Sequence, residues 1–153
     1  MVSKATSVTA GLVVIGDEIL SGRTQDQNIA YLARWLNEEG VFLKEVRVVS
    51  DDAGAIIEAV NVLRQRWDYC FTTGGLGPTH DDITVDAVAE AFEVDVVYDD
   101  EVLKMLADYY GAGSLTDARK RMARVPRGSS LVQNPMSGAP GFRKENVFLL
   151  AGI

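Results

Sequence analysis

Three apolar runs of strand length, at residues 12–15, 41–49 and 69–72, are separated by stretches of helical periodicity, and nothing else in the sequence restricts the fold as strongly. In the first interval Ile29, Leu32, Ala33 and Leu36 recur at i, i+3, i+4 and i+7. Thr24 with Gln27 matches a capping box there, and Gly40 stands where a helix-ending glycine is favoured. In the second, Asp51 and Asp52 open a helix carrying Ile56, Ile57, Val60 and Leu63; after the third run, Val85, Val88, Ala89 and Phe92 mark another. Strands joined through helices become parallel neighbours, because a parallel pair needs a long crossover, and right-handed crossovers lay helices on the sheet. The expected fold is therefore an α/β domain, doubly wound, with a mostly parallel sheet and helices on both faces in a three-layer α/β/α arrangement. Beyond Phe92 the rhythm loosens: residues 94–98 read as a strand, 99–110 as a helix, 111–113 as a break, and 147–150 as a last buried strand. With 153 residues and 47% hydrophobic content, a single domain over 1–153 has enough apolar surface for a core.

Charge narrows the partners. A formal net charge of -7 excludes a nucleic acid or an anionic membrane surface as the main partner, since phosphate backbones are met by clustered Lys and Arg. The one basic concentration is residues 119–127, with Arg119, Lys120, Arg121, Arg124 and Arg127. No apolar run reaches the roughly 20 residues that span a bilayer, and the N-terminus has no basic segment leading into an apolar one, so a cytoplasmic protein is expected. The single cysteine, Cys70, lies in the apolar run Tyr69-Cys70-Phe71 and reads as a buried, inert thiol in a reducing compartment.

Residues 72–84, TTGGLGPTHDDIT, set three glycines beside adjacent carboxylates and the only histidine, His80. In an open parallel sheet, ligands sit beyond the carboxyl ends of the strands, where this loop falls. Gly74, Gly75 and Gly77 let backbone N–H groups surround a phosphate. The loop is neither a P-loop, having no Gly-Lys-Ser/Thr, nor the dinucleotide fingerprint, having no third spaced glycine. Asp81 and Asp82 read in two ways. They cap the helix that follows, or they hold a divalent cation, Mg²⁺ or another, which joins carboxylate and phosphate oxygens and removes their repulsion. A second polar loop, Gly16-Asp17-Glu18-Ile19-Leu20-Ser21-Gly22 with Asp26, Gln27 and Asn28, follows the first strand, and Ser50-Asp51-Asp52 follows the second. Parallel topology brings all three loops to one sheet edge, although ordinary turn and capping chemistry places the same residue types there.

These loops, together with Asn134-Pro135-Met136-Ser137-Gly138-Ala139-Pro140-Gly141-Phe142, resemble the CinA-type branch of the molybdopterin-binding (MoaB/Mog) domain family over nearly the whole chain. The resemblance implies a MoaB/Mog-like fold, a homo-oligomer (trimer or dimer), and a small phosphorylated pterin or nucleotide as ligand, molybdopterin among them. It implies one of two chemistries: metal-dependent cleavage of ADP-ribose and similar pyrophosphates, as in CinA-like relatives, or Mg-ATP-dependent adenylylation of molybdopterin for molybdenum cofactor biosynthesis. A binding module without turnover is a third outcome. Carried over by position, Asp82 and Asp51 would act in catalysis and hold the metal. Gly74, Gly75, Gly77, Thr79, Asp81 and Thr84 would meet phosphate or substrate, with Gly16, Asp17 and Glu18 beside them. Ser137, Gly138, Ala139 and Gly141 would form a further wall, and Arg119 and Lys120 would meet phosphate or lie on a solvated helix face. Family members continue past the last strand with a Pro-Gly-Val-Pro-like turn where this chain has Ala151-Gly152-Ile153, so truncation at the C-terminus is expected.

Overall fold

Along β1 (Val8–Ile15) alternate side chains enter opposite layers. The computed structural model, which describes residues 7–132 and 140–152, packs Leu12 and Val14 with Phe71 against Leu32 and Leu36 of α2 (Asn28–Glu38). Val13 and Ile15 face the other layer, with Ile56, Val60 and Leu63 of α3 (Ala53–Arg66) and Val88 of α4 (Thr84–Ala91). Helices thus cover both faces, as the sequence pattern requires. Burying a leucine of this size contributes roughly 1.5–3 kcal/mol, and Leu12, Leu36 and Leu63 are each at most 2% exposed.

The six-stranded sheet runs β2-β1-β3-β8-β7-β6, with β2 (Val41–Val49), β3 (Tyr69–Thr73), β6 (Ser130–Val132), β7 (Gly141–Lys144) and β8 (Val147–Leu150). β2, β1, β3 and β8 are mutually parallel, and β7 pairs antiparallel with both β8 and β6, so the sheet is mostly parallel as expected. The strand read at 94–98 exists as β4 (Val96–Tyr98), but it stands outside this sheet. It pairs antiparallel with β5 (Arg124–Pro126). Helix α5 (Asp100–Tyr110) follows β4, and the basic segment folds as the short α6 (Asp117–Lys120), a 3-10 turn at Arg121–Ala123, and β5. A local pattern of apolar residues identifies a strand and is silent on its partner, which is why this departure was invisible.

The capping box is corrected by the structure. Gln27 is the residue ahead of α2 but makes no side-chain cap; the carboxylate of Asp26 instead accepts the Ile29 N–H at 2.8 Å. Of the pair Asp51-Asp52, only Asp52 caps α3, accepting the Ala55 N–H at 2.9 Å. Asp52→Ala is expected to lower stability by about 1 kcal/mol in urea denaturation, whereas loss of a mere solvated surface charge would leave the midpoint unchanged. Cys70 is buried in the core, and burial pushes its thiol up to about 12, consistent with an inert thiol. Among the described residues no helix is long and apolar enough to cross a membrane.

Candidate functional site

The parallel register brings the carboxyl ends of β1, β2 and β3 together, and backbone bonds tie their loops. The Gly16 N–H donates to Val49 O at 3.1 Å, and the Gly74 N–H to Leu150 O at 3.1 Å. Asp17 and Asp51 then lock the first loop to the second reciprocally: the Asp17 N–H donates to Asp51 Oδ2 at 3.0 Å, and the Asp51 N–H to Asp17 Oδ1 at 3.1 Å. Their carboxylates serve as a clasp between loops. α1 (Asp17–Leu20) starts at this clasp, and the Glu18 side chain folds back over buried Gly16.

The glycine loop is shaped from beneath by Thr84. Its hydroxyl, fully buried, donates to Gly74 O at 2.9 Å, and its N–H donates to Gly75 O at 3.2 Å. Gly74 and Gly75 hold φ of 95° and 68°. A Cβ at Gly74 would collide with Ile15 O and one at Gly75 with Thr84 Oγ1, so the loop lies flat on the strand end because both residues lack side chains. Gly77 differs: a Cβ there would stand 2.5 Å from Asp82 Oδ2. Asp82 is held by the loop itself, its Oδ2 accepting from the Thr79 N–H at 3.0 Å and the Thr79 hydroxyl at 2.8 Å. Both donors fall on one oxygen, which leaves Oδ1 for the cleft. His80 and Asp81 are exposed at the loop tip.

Two clefts meet at Asp82 and the residues 75–76 beside it. The first is polar, walled by Glu18, residues 24–28, Thr73, Gly74 and Gly152. The second is walled by Gly77, Val85, Arg121, Met122, Arg124, Pro140, Phe142 and Ala151. Among the described residues, three buried side-chain polar atoms lack a hydrogen-bond partner: Asp26 Oδ1, Thr73 Oγ1 and Arg121 Nε. All three belong to residues of these clefts, two in the polar one and one in the other. Buried polar groups are ordinarily satisfied by protein or ordered water, so these three atoms single out the edge as the candidate site.

The placement of the expected site residues is uneven. Gly74, Gly75, Gly77, Glu18 and Asp82 line the clefts. Thr79 and Thr84 act behind them, on Asp82 and on the loop backbone. Asp51 lines neither cleft, and among the described residues no group of three His, Cys, Asp or Glu side chains comes together as a metal cage. Gly141 is buried in β7 against Leu149 O and Leu150, while Ser137, Gly138 and Ala139 lie outside the described residues. Arg119 turns away from the clefts, its guanidinium 4.1 Å from the Tyr110 ring centroid and donating to Ser114 O at 2.6 Å; Arg121 and Arg124 reach the second cleft in its place. The basic run announced itself in the sequence, but the change from α6 to a 3-10 turn, which sets its phase, did not. Thr73 had a quieter signal, one of two adjacent threonines closing the strand Tyr69–Thr73.

Comparison with known proteins shows the family and the fold. The family model described as "Probable molybdopterin binding domain" matches residues 11–153. A crystal structure titled as the protein CinA with unknown function, from Thermoplasma acidophilum, superposes with a TM-score of 0.87 at 34% identity, covering 96% of this chain and 89% of that one. A CinA-like protein of Sulfurihydrogenibium sp. is 37% identical over 135 residues, 87% of this chain and 34% of that protein. A protein of Pyrococcus furiosus is 34% identical over 161 residues, so the chain spans 63% of its length. The tungsten cofactor synthesizing protein MoaB of Pyrococcus furiosus shares the fold, with a TM-score of 0.59 at 17% identity over 97% of this chain and 84% of that one.

Proposed function

The chain belongs to the molybdopterin-binding domain family, in its CinA-like branch, and from that premise we propose that it binds a phosphorylated pterin or nucleotide across the two clefts and hydrolyses an ADP-ribose-type pyrophosphate with the help of a divalent cation. One observation carries the reading: Asp82 stands where the clefts meet, fixed through Oδ2 by Thr79 and backed by Gly77, with Oδ1 directed to neither partner. The glycine loop supplies the diphosphate with close backbone approach, and Asp82 supplies a negative charge beside it. That juxtaposition is unfavourable for an anion alone.

The donor set fits a cation carried in with the substrate rather than one caged by the protein. Mg²⁺ characteristically keeps waters and uses one or two carboxylates plus substrate phosphates, and Asp82 is the loop carboxylate that lines both clefts. Asp51, engaged with the Asp17 N–H, supports the loop that faces it. A bound Mg²⁺ would supply neutralisation of the phosphate charge. In the hydrolysis, water attacks one phosphorus, the bridging P–O bond breaks, and two phosphate monoesters leave. Residues 74–77 hold the diphosphate in place, which is most of what phosphoryl chemistry asks of a protein.

Calorimetric titration with ADP-ribose, ATP and a pterin, each with and without Mg²⁺ and with product analysis, tests the proposal. Mg²⁺-dependent ADP-ribose binding with AMP and ribose 5-phosphate as products is expected. Joint binding of ATP and pterin with release of pyrophosphate, and no cleavage of ADP-ribose, would replace hydrolysis with adenylyl transfer. Binding of any of them with no products would leave a binding module.

A further inference from the structure

Residues 119–127 hold four arginines, and three of them are already engaged. Arg119 lies over Tyr110 and donates to Ser114 O; Arg124 forms a bidentate pair with Asp86, at 2.6 and 3.2 Å; Arg127 reaches Asp95 at 3.8 Å. Arg121 differs from all three. Among the described residues it forms no ion pair, its Nε is buried without a partner, and it lines the second cleft together with Gly75 and Gly77. The Asp86 pair matters here too, because it spends the charge of Arg124 and leaves Arg121 as the uncompensated cation of the cleft wall.

A guanidinium held half-buried with an unsatisfied N–H is costly, and phosphate oxygens are the ligand whose geometry its donor fork matches. The cleft therefore presents two anion-attracting loci, the glycine backbone and Arg121, with the Asp82 carboxylate lining it as well. A lone phosphate satisfies one locus; two linked phosphates satisfy both. We infer that Arg121 is the second phosphate-binding residue of the site and makes it selective for diphosphates over monophosphates. The inference rests on reading this edge as a phosphate site and adds the residue that sets the length of the anion.

The test follows the Arg121 side-chain Nε–Hε resonance in ¹⁵N-labelled protein, assigned with Arg121→Lys, during titration with inorganic pyrophosphate, inorganic phosphate and ADP-ribose in the presence of Mg²⁺. Pyrophosphate should move the resonance saturably, with phosphate at least tenfold weaker. Arg121→Met, which keeps the apolar stem, should weaken pyrophosphate roughly ten- to a hundredfold while leaving phosphate within about threefold. Equal affinities for pyrophosphate and phosphate, or saturation with the Arg121 resonance unmoved, overturn the inference, as does failure of both anions to bind. Pyrophosphate acting as expected while ADP-ribose does not bind upholds the role of Arg121 and overturns the nucleotide reading instead. Should Arg121→Met fail to fold, the wild-type resonance alone decides.

Discussion

Asp82→Asn should lower ADP-ribose turnover by roughly a hundred- to a thousandfold while the domain keeps its fold. The asymmetry of the carboxylate makes this substitution informative. Both Thr79 donors go to Oδ2, and the carbonyl oxygen of an asparagine accepts both equally well. The loop then keeps its shape and stability changes by less than about 1 kcal/mol, while the amide NH₂ replaces Oδ1 at the junction of the clefts. The charge and the one free acceptor oxygen are removed, and the loop contacts are kept. Nucleotide affinity without Mg²⁺ should stay level or rise, because an anion no longer faces a carboxylate, and the increment that Mg²⁺ adds should shrink. Activity within threefold of wild type would show that Asp82 serves the loop alone. Asp82→Ala is the poorer experiment, since it strands the Thr79 N–H and confounds geometry with charge.

How much of this was legible in the sequence follows the range of the interactions concerned. The β1, β2 and β3 strands and the helices after them announced themselves because each has its own apolar period, and the topology rule then placed three loops on one edge. Gly74 and Gly75 were legible for a related reason: runs of glycine mark backbone that comes close to something. Asp51 shows where such reading ends. Its spacing beside Asp52 carries no sign of the clasp with the Asp17 N–H, which the register of β1 against β2 brings about. Arg121 and Arg119 differ likewise by a phase that a 3-10 turn sets, and Asp26 stood in a quoted motif without any local mark that one of its oxygens would be buried and unpartnered. Long-range register and helix phase are properties of the assembled chain.

The same logic sets the second large effect, on stability. Gly74 is held on several sides: its N–H donates to Leu150 O, its carbonyl accepts from Thr84, Gly152 packs against it with a would-be Cβ 3.1 Å from its Cα, and its own Cβ would fall on Ile15 O. Gly74→Ala is therefore expected to cost about 3–4 kcal/mol in urea denaturation and to abolish nucleotide binding. Two contributions add: a left-handed φ costs an L-residue about 1–2 kcal/mol, and the collision forces the β3 end and the β1 end apart. Gly40 separates them. It has φ of 83° but no atom within 4 Å of a would-be Cβ, and it sits after α2, away from the clefts. Gly40→Ala should lose only the conformational part, about 1 kcal/mol, with binding intact. Equal losses at the two positions would mean that the loop gives way freely at Ile15. The close fit of loop to strand would then add nothing to the stability of the phosphate cradle.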